Sequence, residues 1–367
     1  MSERSPMTHL VLLAGGSGTR FWPLGRRKRP KQVLPLRPGG KSLLAETFAR
    51  LESLPLEPKR FLLPVSDELR PVMAAALPRF PEAGFLREPT PRDTAPVLGL
   101  LLANLLCEGA AEEDRIALLP SDHVIAPKEA FHRTLLQALD LATRDRRLWT
   151  LGIRPNEPAT GYGYIQMGDP LPGGGRRVRR FLEKPSAKTA RTLLEGGEHL
   201  WNAGILIGTL GAFLDAARER NPDFLQGIER LAEAMKLQEE QQVKEAFLSF
   251  EKTSIDYALL EGNPLLGVVE ADFDWKDLGS FDTLAEDLDL DSRGNALLAG
   301  GEGQTLFWDC DNNLCVNRGE GTLVLLGVKD LIVVRDGDKL LVLPKGRSQE
   351  IKVIVEELER RGSGDQL

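Results

Sequence analysis

Residues 10–20 read Leu-Val-Leu-Leu-Ala-Gly-Gly-Ser-Gly-Thr-Arg. The first five are apolar without alternation, which is typical of a short strand buried on both faces of a sheet. The glycines that follow let the backbone approach a ligand closely, so that consecutive N–H groups surround phosphate oxygens. The run lacks the Gly-Lys-Ser/Thr ending of a Walker loop, and Phe21 stands where a dinucleotide-binding fingerprint has its last glycine. The glycines therefore indicate either a phosphate loop of another kind or a plain tight turn.

Strands and helices alternate from this loop to about residue 290. Apolar runs predict further strands over residues 60–65, 116–119 and 148–153. Between them, one-sided apolar spacing predicts helices after Ser42, over residues 94–108 and over residues 130–142. This βαβ order favours an α/β fold with an open, mostly parallel, doubly wound sheet. Such sheets bind ligands at the carboxyl ends of their strands.

The pattern changes near residue 290. Residues 295–344 contain only short β-rich runs separated by turn dipeptides, and an amphipathic helix is predicted over residues 349–359. The chain is therefore expected to divide into a large α/β domain, residues 1–290, and a small all-β domain with a closing helix, residues 291–367. A β unit of this size buries too little apolar surface to be stable alone. We expect it to pack on the large domain or on another subunit.

The chain is acidic, with 47 Lys and Arg residues against 54 Asp and Glu residues and a net charge of −7. That balance gives no electrostatic basis for nucleic acid or an anionic membrane as the main partner, so any phosphate must be bound by a few local cations. No apolar run approaches the roughly 20 residues of a membrane span, and the first residues lack the apolar core of a secretory signal. The 3 cysteines are too few for a disulfide framework. We expect a cytoplasmic protein.

The residues after the glycines make the loop specific. Residues 21–26 read FWPLGR and residues 29–32 read RPKQ. With the loop, they closely resemble the G-G-x-G-T-R-x-W-P-L-S-R…P-K-Q segment of the sugar-1-phosphate nucleotidylyltransferases, and in particular of the mannose-1-phosphate guanylyltransferases. Phe21 and Gly25 depart from that pattern, and we interpret both as packing variation. Further blocks resemble those of the family in the same order: RDTAP (92–96), PSDH (120–123), TGYGYI (160–165), FLEKP (181–185), WNAG (201–204), SIDY (254–257) and WKDLG (275–279).

The resemblance implies a Mg²⁺-dependent enzyme that transfers GMP from GTP to mannose 1-phosphate, giving GDP-mannose and pyrophosphate. It also implies a Rossmann-like catalytic domain of the GT-A type and a small left-handed β-helix at the C-terminal end. The family often forms homodimers through that unit, so a homodimer is expected. Two alternatives stay open. One is the same reaction with another nucleoside triphosphate and hexose 1-phosphate, and the other is a catalytically silent subunit that senses sugar nucleotides.

Two highly charged anions must meet in this reaction, so catalysis depends on positioning and charge neutralisation. By resemblance, Arg20 supplies a planar fork for the β- and γ-phosphates and Lys31 a point charge nearer the α-phosphate. Without the resemblance, Arg20 would be interpreted as a surface arginine. The loop residues assigned to the same site are Gly15, Gly16, Gly18 and Thr19.

A divalent ion is needed between the phosphates, and Mg²⁺ prefers carboxylate and phosphate oxygens. The resemblance assigns this ion to Asp122, at the carboxyl end of a strand, and to Asp277 in the Trp-x-Asp block. In a purely structural interpretation, Asp122 caps a turn or helix and Asp277 caps the helix that begins near Gly279. His123 is predicted to be structural, because phosphoryl transfer does not require it as a base.

The resemblance places the sugar phosphate on two neighbouring charges. Glu183 accepts bonds from sugar hydroxyls and Lys184 faces the 1-phosphate, although the pair alone would be interpreted as two charges on an edge strand. Gly163 and Asn202 complete the sugar site, one by close backbone approach and the other by an amide that donates and accepts. The guanine base is expected beside the first glycines and the block Thr94, Ala95 and Pro96.

Overall fold

The structure, a computed structural model, describes residues 5–16 and 18–362. The strands are β1 (Thr8–Leu13), β2 (Lys59–Val65), β3 (Phe85–Arg87), β4 (Arg115–Pro120), β5 (His123–Ala126), β6 (Leu148–Ile153), β7 (Tyr164–Leu171), β8 (Gly175–Leu182), β9 (His199–Thr209), β10 (Leu266–Glu270), β11 (Asp274–Asp277), β12 (Ala296–Ala299), β13 (Gln304–Trp308), β14 (Leu314–Arg318), β15 (Thr322–Leu326), β16 (Leu331–Asp336) and β17 (Lys339–Pro344). The helices are α1 (Leu43–Glu52), α2 (Arg70–Ala76), α3 (Thr94–Cys107), α4 (Lys128–Asp145), α5 (Ala187–Gly196), α6 (Leu210–Arg220), α7 (Pro222–Leu237), α8 (Glu240–Leu248), α9 (Phe281–Ala285) and α10 (Ile351–Arg360). Within the described ranges, no helix combines the length and the apolar character that crossing a membrane requires.

The large domain is built on one sheet with the order β3-β2-β1-β4-β9-β6-β10-β8-β7. Strands β8 and β9 run against the direction of the others. Helices cover both faces, because alternate residues of β1 enter different apolar cores: Leu10 and Leu12 pack into one and Val11 into the other. The expected α/β fold with a mostly parallel sheet is confirmed.

The register of β1 and β4 sets the position of the site. The two strands are parallel, and Leu13 at the end of β1 lies beside Pro120 at the end of β4. The hydroxyl of Ser121 then donates to the carbonyl of Leu13 over 2.8 Å. The glycine loop and the Pro-Ser-Asp-His block therefore leave the sheet side by side at its carboxyl edge.

The small domain is a coil of parallel strands. Strands β12, β14 and β16 form one wall and β13 and β15 another, and β17 closes the first wall in the antiparallel sense. Successive coils are offset by 18 residues, and Asn295 accepts the backbone N–H of Asn313 at that spacing. This arrangement confirms the expected β-helix-like unit.

The small domain packs on the large domain of its own chain. One apolar core contains Phe21 and Leu34 from the segment after the glycine loop together with Val316, Val334 and Ile351 from the small domain. Polar contacts follow the same boundary, since Asp336 pairs with both Arg26 and Arg29. The segment that carries the predicted catalytic cations is therefore supported from behind by the small domain.

Candidate active site

The glycine loop is held in place by the turn that follows it. Gly16 and Gly18 adopt φ angles of 110° and 59°, which favour glycine. A Cβ on Gly18 would lie 2.7 Å from the backbone nitrogen of Lys31, so the space admits only glycine. The Nε2–H of Gln32 donates to the carbonyl of Gly15 over 2.6 Å. The loop and the turn with Lys31 and Gln32 therefore form one unit.

Lys31 joins two carboxylates that are far apart in the sequence. Its Nζ lies 3.0 Å from Oδ2 of Asp122 and 3.2 Å from Oδ1 of Asp277. Asp122 follows β4, and Asp277 ends β11 opposite His123 in β5. The β5–β11 pair, which is separate from the main sheet, thus carries Asp277 to the carboxyl end of β4. Three of the four residues predicted to be catalytic meet in this cluster.

Charge interactions inside the cluster oppose the effect of burial. Burial alone would lower the pKa of Lys31, but the carboxylates of Asp122 and Asp277 outweigh it and raise that pKa. Burial alone would raise the pKa of Asp122, but the positive charge of Lys31 outweighs it and lowers that pKa. The ammonium and the Asp122 carboxylate are therefore both ionised at neutral pH, which is the state that binding a phosphate or a metal ion requires.

His123 forms part of the wall of the site. The Nε1–H of Trp275 donates to its Nδ1 over 3.1 Å, and burial lowers the pKa of the ring. A nitrogen that accepts a hydrogen bond carries no proton, so both observations make the ring neutral. These contacts support the predicted structural role of His123. The cap suggested as an alternative role for Asp277 is made instead by Ser280, which is the N-cap of α9.

Asp122 and Asp277 are suited to hold a divalent ion between them. Both touch the same ammonium, so their carboxylates converge on one region. No group of three or more His, Cys, Asp or Glu side chains surrounds a metal position in the described residues. Mg²⁺ does not need such a cage, because it keeps several waters and takes its other ligands from substrate phosphates. Two carboxylates at a phosphate loop therefore fit this ion.

The predicted sugar residues lie around Gly163. A Cβ at this position would lie 2.6 Å from Oε2 of Glu183, and the carbonyl of Gly163 accepts the backbone N–H of Asn202 over 2.8 Å. The Nζ of Lys184 lies 2.5 Å from Oε1 of Glu183. The structure thus brings Gly163, Glu183, Lys184 and Asn202 together, with Lys184 bound to its neighbour.

Two cavities meet at the glycine loop. The first, the Asp122 cavity, has a volume of about 210 Å³ and is also lined by Thr150 and Asn202. The second, the Glu88 cavity, has a volume of about 290 Å³ and lies on the side of β2 and α3. Both are lined by Leu13, Gly15 and Thr94. A ligand that spans the two cavities therefore passes directly over the glycine loop.

Of the block predicted beside the base, only Thr94 faces these two cavities. Its backbone N–H donates to Asp93 over 2.7 Å, and its hydroxyl accepts the N–H of Ile255 over 3.0 Å. Ala95 is buried and donates its N–H to a neighbouring carbonyl, and Pro96 is buried in the first turn of α3. Ala95 and Pro96 therefore shape the wall without facing the ligand space.

Glu88 was not found in the sequence analysis. It lines the Glu88 cavity with Ser66 and Arg92, and its Oε1 accepts the backbone N–H of Arg92 over 2.9 Å. Burial raises the pKa of its carboxyl to about 7. Glu88 stands four positions before Arg92, the first residue of the matched block RDTAP. The sequence signal that could have identified Glu88 is an acidic residue directly before Pro89, at the end of β3.

Arg20 stands apart from the cluster. Thr19 and Arg20 belong to the short helical turn Thr19–Phe21, and the side chain of Arg20 is exposed. Among the described residues, the structure records no hydrogen bond or ion pair from Arg20 to the Lys31 cluster. Ser17, at the centre of the predicted phosphate loop, lies outside the described residues.

Comparison with known proteins agrees with this geometry. A family model described as "Nucleotidyl transferase" matches residues 9–292. The chain belongs to the nucleotidyl transferase family. A second model, described as "MannoseP isomerase/GMP-like beta-helix domain", matches residues 309–358.

Individual relatives match along most of the chain. "Xanthan biosynthesis protein XanB" of Xanthomonas campestris is 33% identical over 359 residues, which cover 97% of this chain and 74% of the relative. "Mannose-1-phosphate guanylyltransferase" of Escherichia coli K12 is 32% identical over 360 residues, which cover 96% and 73%. A crystal structure from Thermus thermophilus, named a mannose-1-phosphate geranyltransferase, has a TM-score of 0.83, 32% identity and coverage of 97% and 100%. The family resemblance that the motifs predict is confirmed.

Proposed function

We propose that this protein transfers GMP from GTP to mannose 1-phosphate, giving GDP-mannose and pyrophosphate. A phosphate oxygen of the sugar 1-phosphate attacks the α-phosphorus of GTP, a new P–O bond forms, and the bond to the β-phosphate oxygen breaks. The attacking oxygen is already anionic, so no general base is needed. The observation that carries the proposal is the Lys31–Asp122–Asp277 cluster beside the glycine loop where the two cavities meet.

The glycine loop and the cations would hold the nucleotide. Backbone N–H groups of Gly15, Gly16, Gly18 and Thr19 would surround phosphate oxygens, and Lys31 would neutralise the charge that develops at the α-phosphate during transfer. Arg20, exposed beside the loop, is free to swing onto the β- and γ-phosphates. Asp122 and Asp277 would hold Mg²⁺, which supplies further charge neutralisation and orients the leaving pyrophosphate.

Glu88 gives a physical reason for guanine. The Watson–Crick edge of guanine presents two donors, N1–H and the 2-amino group, and a carboxylate accepts both. Uracil and thymine present only one donor on that edge, and adenine presents its amino group beside an acceptor nitrogen. The carboxylate of Glu88, in the cavity next to the glycine loop, is placed to make that distinction. This favours GTP over the uridylyl and thymidylyl alternatives.

The hexose phosphate would occupy the Asp122 cavity. Glu183 and Asn202 offer hydroxyl acceptors and an amide donor beside Gly163, and Lys184 offers a cation for the 1-phosphate. An in-line displacement requires the attacking phosphate oxygen to approach the α-phosphorus from the side opposite the leaving pyrophosphate. The printed name of the Escherichia coli relative, a mannose-1-phosphate guanylyltransferase, supports mannose 1-phosphate as the hexose.

The test is release of pyrophosphate from purified protein with Mg²⁺. Mannose 1-phosphate is assayed with GTP, ATP, UTP and CTP, and GTP is assayed with mannose, glucose and galactose 1-phosphates. We expect the highest kcat/KM for GTP with mannose 1-phosphate. A higher value for another pair establishes the same reaction with other substrates. No release with any pair, from folded protein that still binds GDP-mannose, establishes the silent subunit.

A homodimer in the cytoplasm is part of the proposal. Strands β13 and β15 expose four large apolar side chains in register: Leu306 opposite Val324 and Trp308 opposite Leu326. Trp308 and Leu326 are 64% and 66% exposed, and an exposed apolar face of this kind is suited to pack on its own copy across a two-fold axis. A second copy of the chain is therefore its expected partner. The cysteines of the described residues are all unpaired, which suits a reducing compartment.

A further inference from the structure

Asp256 is a carboxylate in the Asp122 cavity to which the sequence analysis gave no role. It begins the π-helical turn Asp256–Leu260, a type of turn that is frequent at functional sites. Its Oδ1 accepts the Nδ2–H of Asn202 over 3.2 Å, and the cavity that it lines also contains Asp122 and Thr150. Asp256 therefore stands in the space proposed for the hexose, directly beside a residue already assigned to it.

The neighbouring amide has a fixed orientation. Oδ1 of Asn202 accepts the backbone N–H of Gly204 over 3.2 Å, and a backbone N–H can only donate. Nδ2 must therefore be the atom that faces Asp256, and one of its two hydrogens is bound there. The second hydrogen remains for a ligand. Asp256 thus holds a donor group in position as well as being an acceptor itself.

A second carboxylate lies near Asn202. Glu183 lies against Gly163, whose added Cβ would also lie 3.4 Å from Cβ of Asn202. Burial, followed by the negative charge of Glu183, raises the pKa of Asp256 to about 6, and Lys184 opposes this only partly. The negative charge of Glu183 therefore makes an ionised Asp256 less favourable in the empty site. The hydrogen bond from Asn202 does not by itself require a charged group at this position, because a neutral acceptor would accept it equally well.

We propose that Asp256 is a specificity-determining residue of the hexose site, where it and Glu183 accept hydrogen bonds from hydroxyl groups of the hexose 1-phosphate. The inference rests on the proposed function and specifies how its sugar is selected. Hexose 1-phosphates differ from one another in the direction of single hydroxyl groups. A carboxylate accepts but never donates, so a hydroxyl that points elsewhere leaves a partly buried charge without its partner. Sites built in this way discriminate strongly between substrates of the same size.

The experiment compares Asp256→Asn with the unmodified enzyme. The exchange keeps the shape of the side chain and removes its charge. We expect KM for mannose 1-phosphate to rise at least ~10-fold, which corresponds to ~1.4 kcal/mol, while KM for GTP stays within about twofold. We also expect the ratio of kcat/KM for mannose 1-phosphate over glucose 1-phosphate to fall. An acceptor at a fixed position sets that ratio, because it binds only a hydroxyl group that points toward it. Glu261→Gln, at the exposed end of the same turn, is the matched control and should change neither value.

Asp256→Glu keeps the charge but moves it, and it serves as the second variant if Asp256→Asn does not fold. We expect a changed preference among mannose, glucose and galactose 1-phosphates with an unchanged KM for GTP. Equal changes in both Michaelis constants, or an unchanged hexose preference in every folded variant, would show that Asp256 is only structural. If the unmodified enzyme is inactive with every hexose 1-phosphate, the proposed function fails first and the inference fails with it.

Discussion

Oε2 of Glu183 occupies the space that a side chain at Gly163 would need, because an added Cβ would lie 2.6 Å from it. We predict that Gly163→Ala displaces Glu183 and raises KM for mannose 1-phosphate at least ~10-fold, the loss of about one charge-assisted hydrogen bond. KM for GTP should change little. Gly161→Ala is the matched control, since its Cβ would meet nothing within 4 Å. Equal kinetics of the two variants would contradict the placement of the sugar.

Removing the charge of Asp277 should abolish most of the turnover. Asp277→Asn leaves Lys31 with one carboxylate partner and removes a proposed Mg²⁺ ligand, so we expect kcat to fall at least ~100-fold, in the range of lost transition-state electrostatics. The check is a titration of Mg²⁺ against the rate of pyrophosphate release. Asp274→Asn, at the exposed start of the same strand, is the control. An Asp277→Asn enzyme with normal activity and normal metal dependence would remove this residue from the site.

Lys184 should act on the sugar phosphate and not on the nucleotide. In the structure its ammonium is bound to Glu183, one of the residues proposed for the sugar. We predict that Lys184→Ala raises KM for mannose 1-phosphate at least ~10-fold and leaves KM for GTP within about twofold. The exposed Lys188 of α5 provides the control variant, Lys188→Ala. The reverse pattern of Michaelis constants would place Lys184 on the triphosphate.

Glu88 should read the 2-amino group of guanine. We predict that Glu88→Gln reduces the preference for GTP over inosine triphosphate, which lacks that group, by at least ~10-fold, the value of a bond to a charged acceptor. Glu68→Gln, which changes another acidic residue that lines the same cavity, is the control. An unchanged preference would mean that another group reads the base.

The same residue predicts a pH dependence. Burial raises the pKa of Glu88 to about 7, so its carboxyl takes up a proton as the pH falls through that value and can no longer accept both guanine donors. KM for GTP should therefore rise below about pH 7 in the unmodified enzyme and less steeply in Glu88→Gln. The phosphates of GTP also titrate near this pH, but their titration affects both proteins equally. Parallel pH profiles would contradict this role.

Assembly is tested on the apolar face of β13 and β15. Truncation at Asp291 would also expose Phe21 and the rest of the core shared by the two domains, so a loss of assembly could not be separated from unfolding. Trp308→Lys combined with Leu326→Lys changes only exposed side chains. We expect light scattering to show a dimer for the unmodified protein, a monomer for this variant, and a dimer for the control Leu237→Lys on α7. A monomeric unmodified protein at micromolar concentration would disprove the assembly.

Local patterns predicted the elements better than their arrangement. Strand β6 has the bounds expected from its apolar run, and α3 ends within a residue of the prediction. Both agree because the apolar pattern that indicates such an element lies in consecutive residues of the sequence. The place of β9 is not local. It runs backwards between β4 and β6, with Leu118 opposite Leu206, and only the packed chain determines that pairing.

For the site, too, the sequence predicted individual residues better than their arrangement in space. Asp122 and Asp277 were identified because each stands in a recognisable block, but their shared contact with Lys31 depends on the β5–β11 pair. Asp256 was quoted within a block and given no role, because its neighbours in space, Asn202 and Glu183, are distant in sequence. The sequence did not predict the 18-residue repeat of the small domain. What recurs at that interval is mainly the apolar character of the residues that face inward, and this character is shared by many different side chains.

The contact between the two domains has a consequence for synthesis of the protein. Arg27, just after the nucleotide-binding segment, pairs with Glu359 in α10, 332 positions further along. A ribosome working at about 5–20 residues per second needs roughly 20 to 70 seconds to cover that distance. During this interval Phe21 and its apolar neighbours lack the small-domain side chains, such as Val316 and Ile351, that share their core. We therefore expect this core to be completed late in translation and its exposed apolar side chains to be open to chaperone binding until then.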